Sequence, residues 1–167
     1  MAIVRLTDQQ KAAIRDKLTA EQACHLICEV CDDTFYFGSV QDITGWIRDV
    51  LCVETFFGAM CDGGVRTWFD WCHARLAPFV PIALRAVGLP EFEIHADRAL
   101  ALHVQPPYPI TVADWDPILE RIRDAQLEED FSAEYDVIEA DFFALYLSNR
   151  SHFRNALYSY ILKHLAD

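Results

Sequence analysis

The chain has 167 residues, of which 53% are hydrophobic, so it fits one domain that can bury a core without disulfides or a metal. Its net charge is −12, with 26 Asp and Glu against 14 Lys and Arg. This balance argues against direct binding to nucleic acid or to an anionic membrane surface, and it favours a basic partner.

The cysteines and the N-terminal sequence indicate a reducing, cytoplasmic location. Charged side chains interrupt residues 1–19, so no apolar signal core fits there. No run reaches the ~18 apolar residues that a membrane span needs. We therefore expect free, mostly buried thiols at all six cysteines, which are Cys24, Cys28, Cys31, Cys52, Cys61 and Cys72.

Helical periodicity and capping signals predict an all-α fold. Thr7 with Gln10, and Thr19 with Gln22, have the spacing of capping boxes. The aromatic run 34–40 predicts a loop or a short strand. The predicted helices cover roughly residues 8–17, 20–31, 42–61, 65–73, 81–88 and 91–103, followed by helices that begin near Pro117, Ser132 and Ser151.

Glycine and proline set most of these boundaries. Gly63 and Gly64 are expected to stop the third helix, and Gly88 a later one, because glycine accepts the left-handed conformation common at helix ends. In the helix over 91–103 we expect Ile94 and Ala101, together with Leu100, to face inward. The architecture predicted for residues 1–167 is a compact single-domain array of about eight helices.

Metal-binding and catalytic signals are weak. Cys24, Cys28 and Cys31 have the spacing of a radical S-adenosylmethionine cluster motif, but they share the apolar face of a predicted helix, which favours core thiols. Cys72 and His73 are adjacent, and adjacent helical side chains point apart. No Walker loop or G-x-S-x-G elbow occurs, and no Cys-x-x-Cys pair accompanies Cys61, Cys72 and His73 to complete a zinc site. We predict no metal, no cofactor and no enzymatic activity.

An acidic run near the C-terminus carries the main functional prediction. Residues 124–149 contain no Lys, Arg or His. Carboxylates one helical turn apart lie about 5–6 Å from each other, so they could substitute for DNA phosphates on a basic surface; an acidic face that merely aids solubility is the alternative. The predicted partner-binding residues are Glu128, Glu129, Asp130, Glu134, Asp136, Glu139 and Asp141.

The middle of the chain resembles a known family. Residues 54–70 are similar to a motif with a glutamate, then Asn-Gly-Gly-Phe, then a Gln, two aromatic residues and an Asn. The corresponding residues are Glu54, Asp62, Gly63, Gly64, Thr67, Trp68, Phe69 and Asp70. Over about residues 40–165 the chain resembles the bacterial family typified by DNA mimic protein 19. Here Asp62, Thr67 and Asp70 replace the family's Asn, Gln and Asn.

The resemblance implies an all-α fold, a homodimer and imitation of DNA to sequester a basic DNA-binding regulator. Two other functions stay open. An immunity or antitoxin-type protein would present the same acidic face to a basic toxin. A small-ligand or enzymatic site could lie around Glu54, Asp62, Thr67 and Asp70, although a hydrogen-bond network that ties Glu54 to the glycine turn is the preferred interpretation of these polar residues.

Overall fold

The computed structural model describes residues 3–37, 40–108, 111–127 and 131–166. Within these ranges the chain forms helices and no strand, which confirms the all-α prediction. The α-helices are α1 (Asp8–Asp16), α2 (Ala20–Phe37), α3 (Gly45–Asp70), α4 (Val80–Val87), α5 (Pro90–Ala101), α6 (Val112–Leu127) and α7 (Ser132–Leu165). Two 3₁₀ segments cover Val40–Asp42 and Cys72–Phe79.

The first two helices begin as their capping signals predict. The Thr7 hydroxyl accepts the backbone N–H of Gln10 (3.2 Å), and the Gln10 side chain accepts the Thr7 N–H (2.8 Å). Thr19 and Gln22 make the same reciprocal pair. The prediction of a loop or strand from residue 34 was wrong, because α2 continues to Phe37; no glycine or proline precedes Gly38 to end it.

α3 consists of two helical segments that meet at a kink, at the position where the sequence predicts one helix to stop and another to begin. Its backbone leaves helical geometry at Gly63 and Gly64 and then resumes to Asp70. Trp71 is extended (φ −64°, ψ 154°) and leads into the second 3₁₀ segment. The glycines therefore end the first helical segment as predicted, and the helix predicted over 65–73 is the second segment of α3, which ends at Asp70.

The helices that follow start and stop partly as predicted. Gly88 ends α4 in the left-handed conformation (φ 90°), and Pro90 opens α5. The inward orientation of Ile94 and Ala101 was wrong: both are exposed, and Leu100 alone of the three is buried. The inward face of α5 carries the side chains Phe92, His95, Ala96, Ala99 and Leu100.

The last two helices begin earlier, or run longer, than their local signals indicate. α6 starts one turn before Asp116–Pro117, because the Thr111 hydroxyl accepts the N–H of Asp114 (3.2 Å). The helix predicted from Ser151 corresponds to the part of α7 that follows a break in helical geometry at Asn149 (φ −126°, ψ 17°). α7 continues through this position with a kink at Asn149, whose side chain donates to the carbonyl of Leu145 (3.0 Å).

α3 is the centre of the molecule and packs against α2, α4, α6, α7 and the second 3₁₀ segment. The core is one continuous hydrophobic cluster. Its largest fully buried aromatic side chains are Trp68, Trp115, Phe56, Phe69, Phe92, Phe142 and Phe153. Among the described residues, no helix combines the length and apolar character needed to cross a membrane.

Candidate functional site

The acidic run is partly visible in the structure. Glu128, Glu129 and Asp130 lie outside the described residues. The other four predicted partner-binding carboxylates lie on the first three turns of α7: Glu134, Asp136, Glu139 and Asp141.

These four carboxylates form two rows rather than one face. Glu134 and Asp141 are two helical turns apart and share the side toward α5, where Asp141 accepts from Arg98 (Oδ2–Nη1 2.6 Å). Asp136 and Glu139 are three residues apart and share the side toward the kink of α3. Glu134 and Asp136 are exposed and form no ion pair with a described residue.

Glu139 is bound to the kink of α3. Its Oε1 accepts the backbone N–H of Val65 at 2.8 Å. That N–H is the first one after the break at Gly63 and Gly64, where the second half of α3 begins and its N–H groups have no partner within the helix. Burial raises the pKa of Glu139, and the Val65 hydrogen bond partly opposes that rise. Glu139 thus stabilises the fold and is less available to a partner than Glu134 or Asp136.

Glu54 lies away from the glycine turn, so the preferred network between them is wrong. Nine residues of helix separate Glu54 from Gly63, which is about 14 Å along the axis. Glu54 instead accepts from Arg154 of α7 (Oε1–Nη1 2.5 Å). The carboxylate at the turn is Glu139.

Glu54 and Arg154 form one wall of a cleft of about 480 Å³. The Glu54 side chain is 17% exposed and that of Arg154 is 38% exposed. Burial and the nearby Glu54 carboxylate raise the pKa of the Cys28 thiol to about 12, so this thiol is protonated at neutral pH. The cleft lies between α2, α3 and α7, and its lining residues are Glu21, Gln22, His25, Cys28, Glu54 and Arg154.

The other family-motif residues divide between surface and core. Asp62 and Asp70 are exposed, and Thr67 is half-buried; none of the three lines the cleft at Glu54. Trp68 and Phe69 are buried, with their rings stacked at 4.9 Å between centroids. The predicted small site around Glu54, Asp62, Thr67 and Asp70 is therefore not one constellation.

Two arginines that the sequence reasoning missed hold helix ends in place. Arg123 donates to the carbonyl of Phe69 near the end of α3 (Nε–O 3.1 Å). Arg66 donates to the carbonyl of Gln126 at the end of α6 (2.6 Å) and to the Ser132 hydroxyl (3.1 Å). Cations at helix C-termini interact favourably with the helix dipole. No motif in the sequence marks these arginines, because their partners lie 52 or more residues away.

A buried polar cluster lies beside the start of α7. The hydroxyl of Tyr135 is 2.7 Å from Nε2 of His103 and accepts from the amide of Gln126 (3.4 Å). The His103 ring also contacts the rings of Phe69 and Phe131 edge-on. Burial lowers the pKa of His103 to about 4, so the imidazole is neutral in the folded protein at neutral pH.

The stability of the protein is expected to fall as the pH drops from about 6.5 to about 4, and His103→Gln should flatten this fall. In that window the unfolded chain binds a proton at His103 that the folded chain does not, so acid favours unfolding. Urea unfolding at pH 7, 5.5 and 4.5 measures the slope. His25→Gln is the matched control, because the His25 side chain is 73% exposed. Equal slopes for wild type and His103→Gln would contradict the role of this histidine.

The cysteines are mostly buried thiols. Cys24, Cys31 and Cys52 are in the core, and burial raises the pKa of each. Cys72 is exposed, and its Sγ lies 3.4 Å from Nδ1 of His73. The expectation that these two side chains point apart was wrong, because they lie in a 3₁₀ segment and not in an α-helix. The described residues contain no group of three or more His, Cys, Asp or Glu that could hold a metal ion.

Comparisons with known proteins give one result that bears on this geometry. A family model described as DMP19-like protein matches residues 41–164. This range includes the kink of α3, the acidic start of α7 and the Glu54–Arg154 pair. Searches of the curated proteins and of the solved structures gave no match.

Proposed function

The chain belongs to the DMP19-like family, and from that premise we propose that it is a non-catalytic, acidic interaction protein that binds a basic protein. A DNA-binding regulator, held by a surface that imitates DNA, is the leading class of partner. The observation that carries the proposal is the pair of exposed carboxylates, Glu134 and Asp136, that no described cation neutralises.

The cations of the protein support the proposal because many of them are already engaged internally. Within the described ranges, seven of the 14 Lys and Arg side chains hold a carboxylate or a backbone carbonyl: Lys11, Arg66, Arg75, Arg85, Arg98, Arg123 and Arg154. The net charge of −12 produces a negative potential around the protein, and this potential attracts a basic surface within about a Debye length, roughly 8–10 Å at physiological salt.

The predicted partner-binding set is not uniform in its availability. Glu139 is bound to Val65, and Asp141 is paired with Arg98. Glu134 and Asp136 are therefore the described carboxylates best placed to meet a partner.

Charge reversal at Glu134 and Asp136 is expected to abolish salt-sensitive binding. Tagged wild-type protein should retain a basic DNA-binding protein from lysate at about 0.05 M salt and lose it at about 0.5 M, because exposed charge pairs are screened. Duplex DNA should displace the same protein. The double variant Glu134→Lys/Asp136→Lys should retain little of it at either salt concentration, and mass spectrometry identifies the retained protein.

The control is Asp8→Lys/Asp16→Lys, which changes the net charge equally at two exposed residues of α1. Equal retention by wild type and by Glu134→Lys/Asp136→Lys would refute the proposed surface. A retained basic protein that duplex DNA does not displace would instead favour an immunity-type function against a toxin.

A small-ligand function is the second candidate, and the cleft at Glu54 is the observation that favours it. An ion pair at the wall of an open cleft of about 480 Å³ gives a ligand both a carboxylate and a guanidinium to bind. A thermal-shift screen of small polar metabolites against wild type and Glu54→Gln tests this candidate. A ligand that stabilises both proteins equally would not bind at this cleft.

A further inference from the structure

Three exposed aliphatic side chains lie on adjoining hollows of one surface. Ile82 of α4 is 61% exposed, Ile94 of α5 is 58% exposed and Val137 of α7 is 54% exposed. Single exposed aliphatic residues are common, whereas adjoining ones are typical of interaction sites.

The hollows lie on either side of α5. The larger hollow, about 680 Å³, lies between α4, α5 and the segment 106–108, and Ile82 and Ile94 line it. The smaller hollow, about 520 Å³, lies between α5 and the start of α7, and Val137 and Glu134 line it. Arg98 and Ala101 of α5 line both, so the two hollows adjoin across α5, and together they are called here the α5 groove.

The charges of the α5 groove make it acidic. Both of its arginines are occupied, since Arg85 pairs with Glu93 and Arg98 pairs with Asp141. Asp97 accepts a hydrogen bond from Tyr108 (3.0 Å) and makes no direct ion pair with a described residue, although Arg85 is near enough to stabilise its charge. Together with the unpaired Glu134, it leaves the groove with an excess of negative charge beside its aliphatic walls.

From this combination we propose that the α5 groove binds a basic amphipathic helix of the partner. Aliphatic side chains of that helix enter the two hollows, and its Lys or Arg side chains lie beside Asp97 and Glu134. Anchors seven residues apart on a helix are about 10 Å apart, which is close to the width of α5 between the hollows. A second copy of this chain would bring another acidic groove and a further net charge of −12, so repulsion disfavours it as the occupant.

This inference rests on the proposed function and adds the aliphatic component of recognition. The probes are two fluorescein-labelled, 18-residue helical peptides of equal charge, one built from Leu and Lys and the other from Ala and Lys. Fluorescence anisotropy measures their affinity for the full chain. The Leu/Lys peptide should bind at least roughly tenfold more tightly than the Ala/Lys peptide, because only leucine fills the hollows.

Substitutions on the protein locate the contact. Ile94→Ser/Val137→Ser should lower the affinity for the Leu/Lys peptide by a factor of roughly ten or more. The affinity for the Ala/Lys peptide should change by less than about twofold. The matched control is Leu127→Ser/Leu147→Ser, which removes two exposed leucines (84% and 74%) that do not line the groove. Circular dichroism confirms that each variant is folded, as expected for substitutions at exposed residues.

The outcomes separate this inference from the proposed function. If both peptides bind equally and Glu134→Lys/Asp136→Lys releases both, the acidic function stands and the groove inference is overturned. If neither peptide binds, the groove inference is overturned, and the pull-down with Glu134→Lys/Asp136→Lys decides the proposed function separately. If the wild type is a dimer by light scattering and Ile94→Ser/Val137→Ser is a monomer, the groove is a contact between copies, which also overturns the inference.

Discussion

Gly64→Ala is expected to destabilise the protein by about 3 kcal/mol, the largest effect of any glycine substitution in the described chain. Gly64 has φ 77° and ψ −156°, a region that is essentially restricted to glycine and costs other residues about 1–3 kcal/mol. An added Cβ would also lie 2.0 Å from Oε1 of Glu139. Glu139 would have to move away and release Val65, which adds about 1 kcal/mol. Thermal unfolding should show a decrease in Tm of roughly 6–12 °C for a chain of this size.

Substitutions at two other glycines distinguish the cost of backbone strain at Gly64 from the cost of steric overlap with Glu139. Gly88 has φ 90° and no atom within 4 Å of an added Cβ, so Gly88→Ala should cost only about 1–2 kcal/mol. Gly58 is helical, and its nearest contact would be the Trp71 ring at 3.5 Å, so Gly58→Ala should stabilise by about 0.5–1 kcal/mol. In a Glu139→Ala background, Gly64→Ala should reduce the free energy of unfolding by about 1 kcal/mol less than it does in the wild type. A cost for Gly64→Ala no larger than that of Gly88→Ala would show that Glu139 does not constrain the kink.

Arg154→Met is expected to lower the free energy of unfolding by about 3 kcal/mol, whereas Glu54→Gln should lower it by only about 1 kcal/mol. Loss of Arg154 leaves the Glu54 carboxylate, which is 17% exposed, without its cation and beside the buried Cys24 thiol. Loss of the Glu54 charge leaves Arg154, which is 38% exposed and can turn toward water. Urea unfolding of the two single variants and of the double variant gives the coupling energy of the pair.

The Arg98–Asp141 pair provides the comparison for this asymmetry. Its side chains are 37% and 53% exposed, and exposed ion pairs contribute about 0–1 kcal/mol. Arg98→Met should therefore have a small effect on the free energy of unfolding. If Arg154→Met costs no more than Arg98→Met, the burial of Glu54 does not make its ion pair important for stability.

Features that depend on neighbouring residues were predictable from the sequence. Thr7 and Thr19 cap helices because their partners are three residues away, and Gly88 ends α4 because its own backbone conformation suffices. Gly63 and Gly64 interrupt α3 as their local signal predicts, but the group that accepts the Val65 N–H after the break is Glu139, 74 residues further along the chain. No local pattern contains that information.

The candidate site was predictable in composition but not in arrangement. The absence of basic residues over 124–149 correctly identified an acidic segment, yet Arg98 and Val65 from other helices engage two of its carboxylates. The outward position of Ile94 was missed for a related reason. An apolar residue in a helix is ordinarily assigned to the core, and only the packing of α4 and α7 beside α5 shows that this one lines a groove.

The bond between Glu139 and Val65 has a consequence for the kinetics of association. It joins α7 to the middle of α3 and adds to the core packing of Tyr135, Ile138 and Phe142, which sets the rotation of α7 about its own axis. The directions in which the Glu134 and Asp136 side chains point are then set before a partner arrives. Binding therefore requires no ordering of the α7 backbone. Preorganised charges of this kind raise the association rate with little entropic cost. Release of the bond by Glu139→Ala should accordingly slow association at low salt, even though Glu139 itself need not touch the partner.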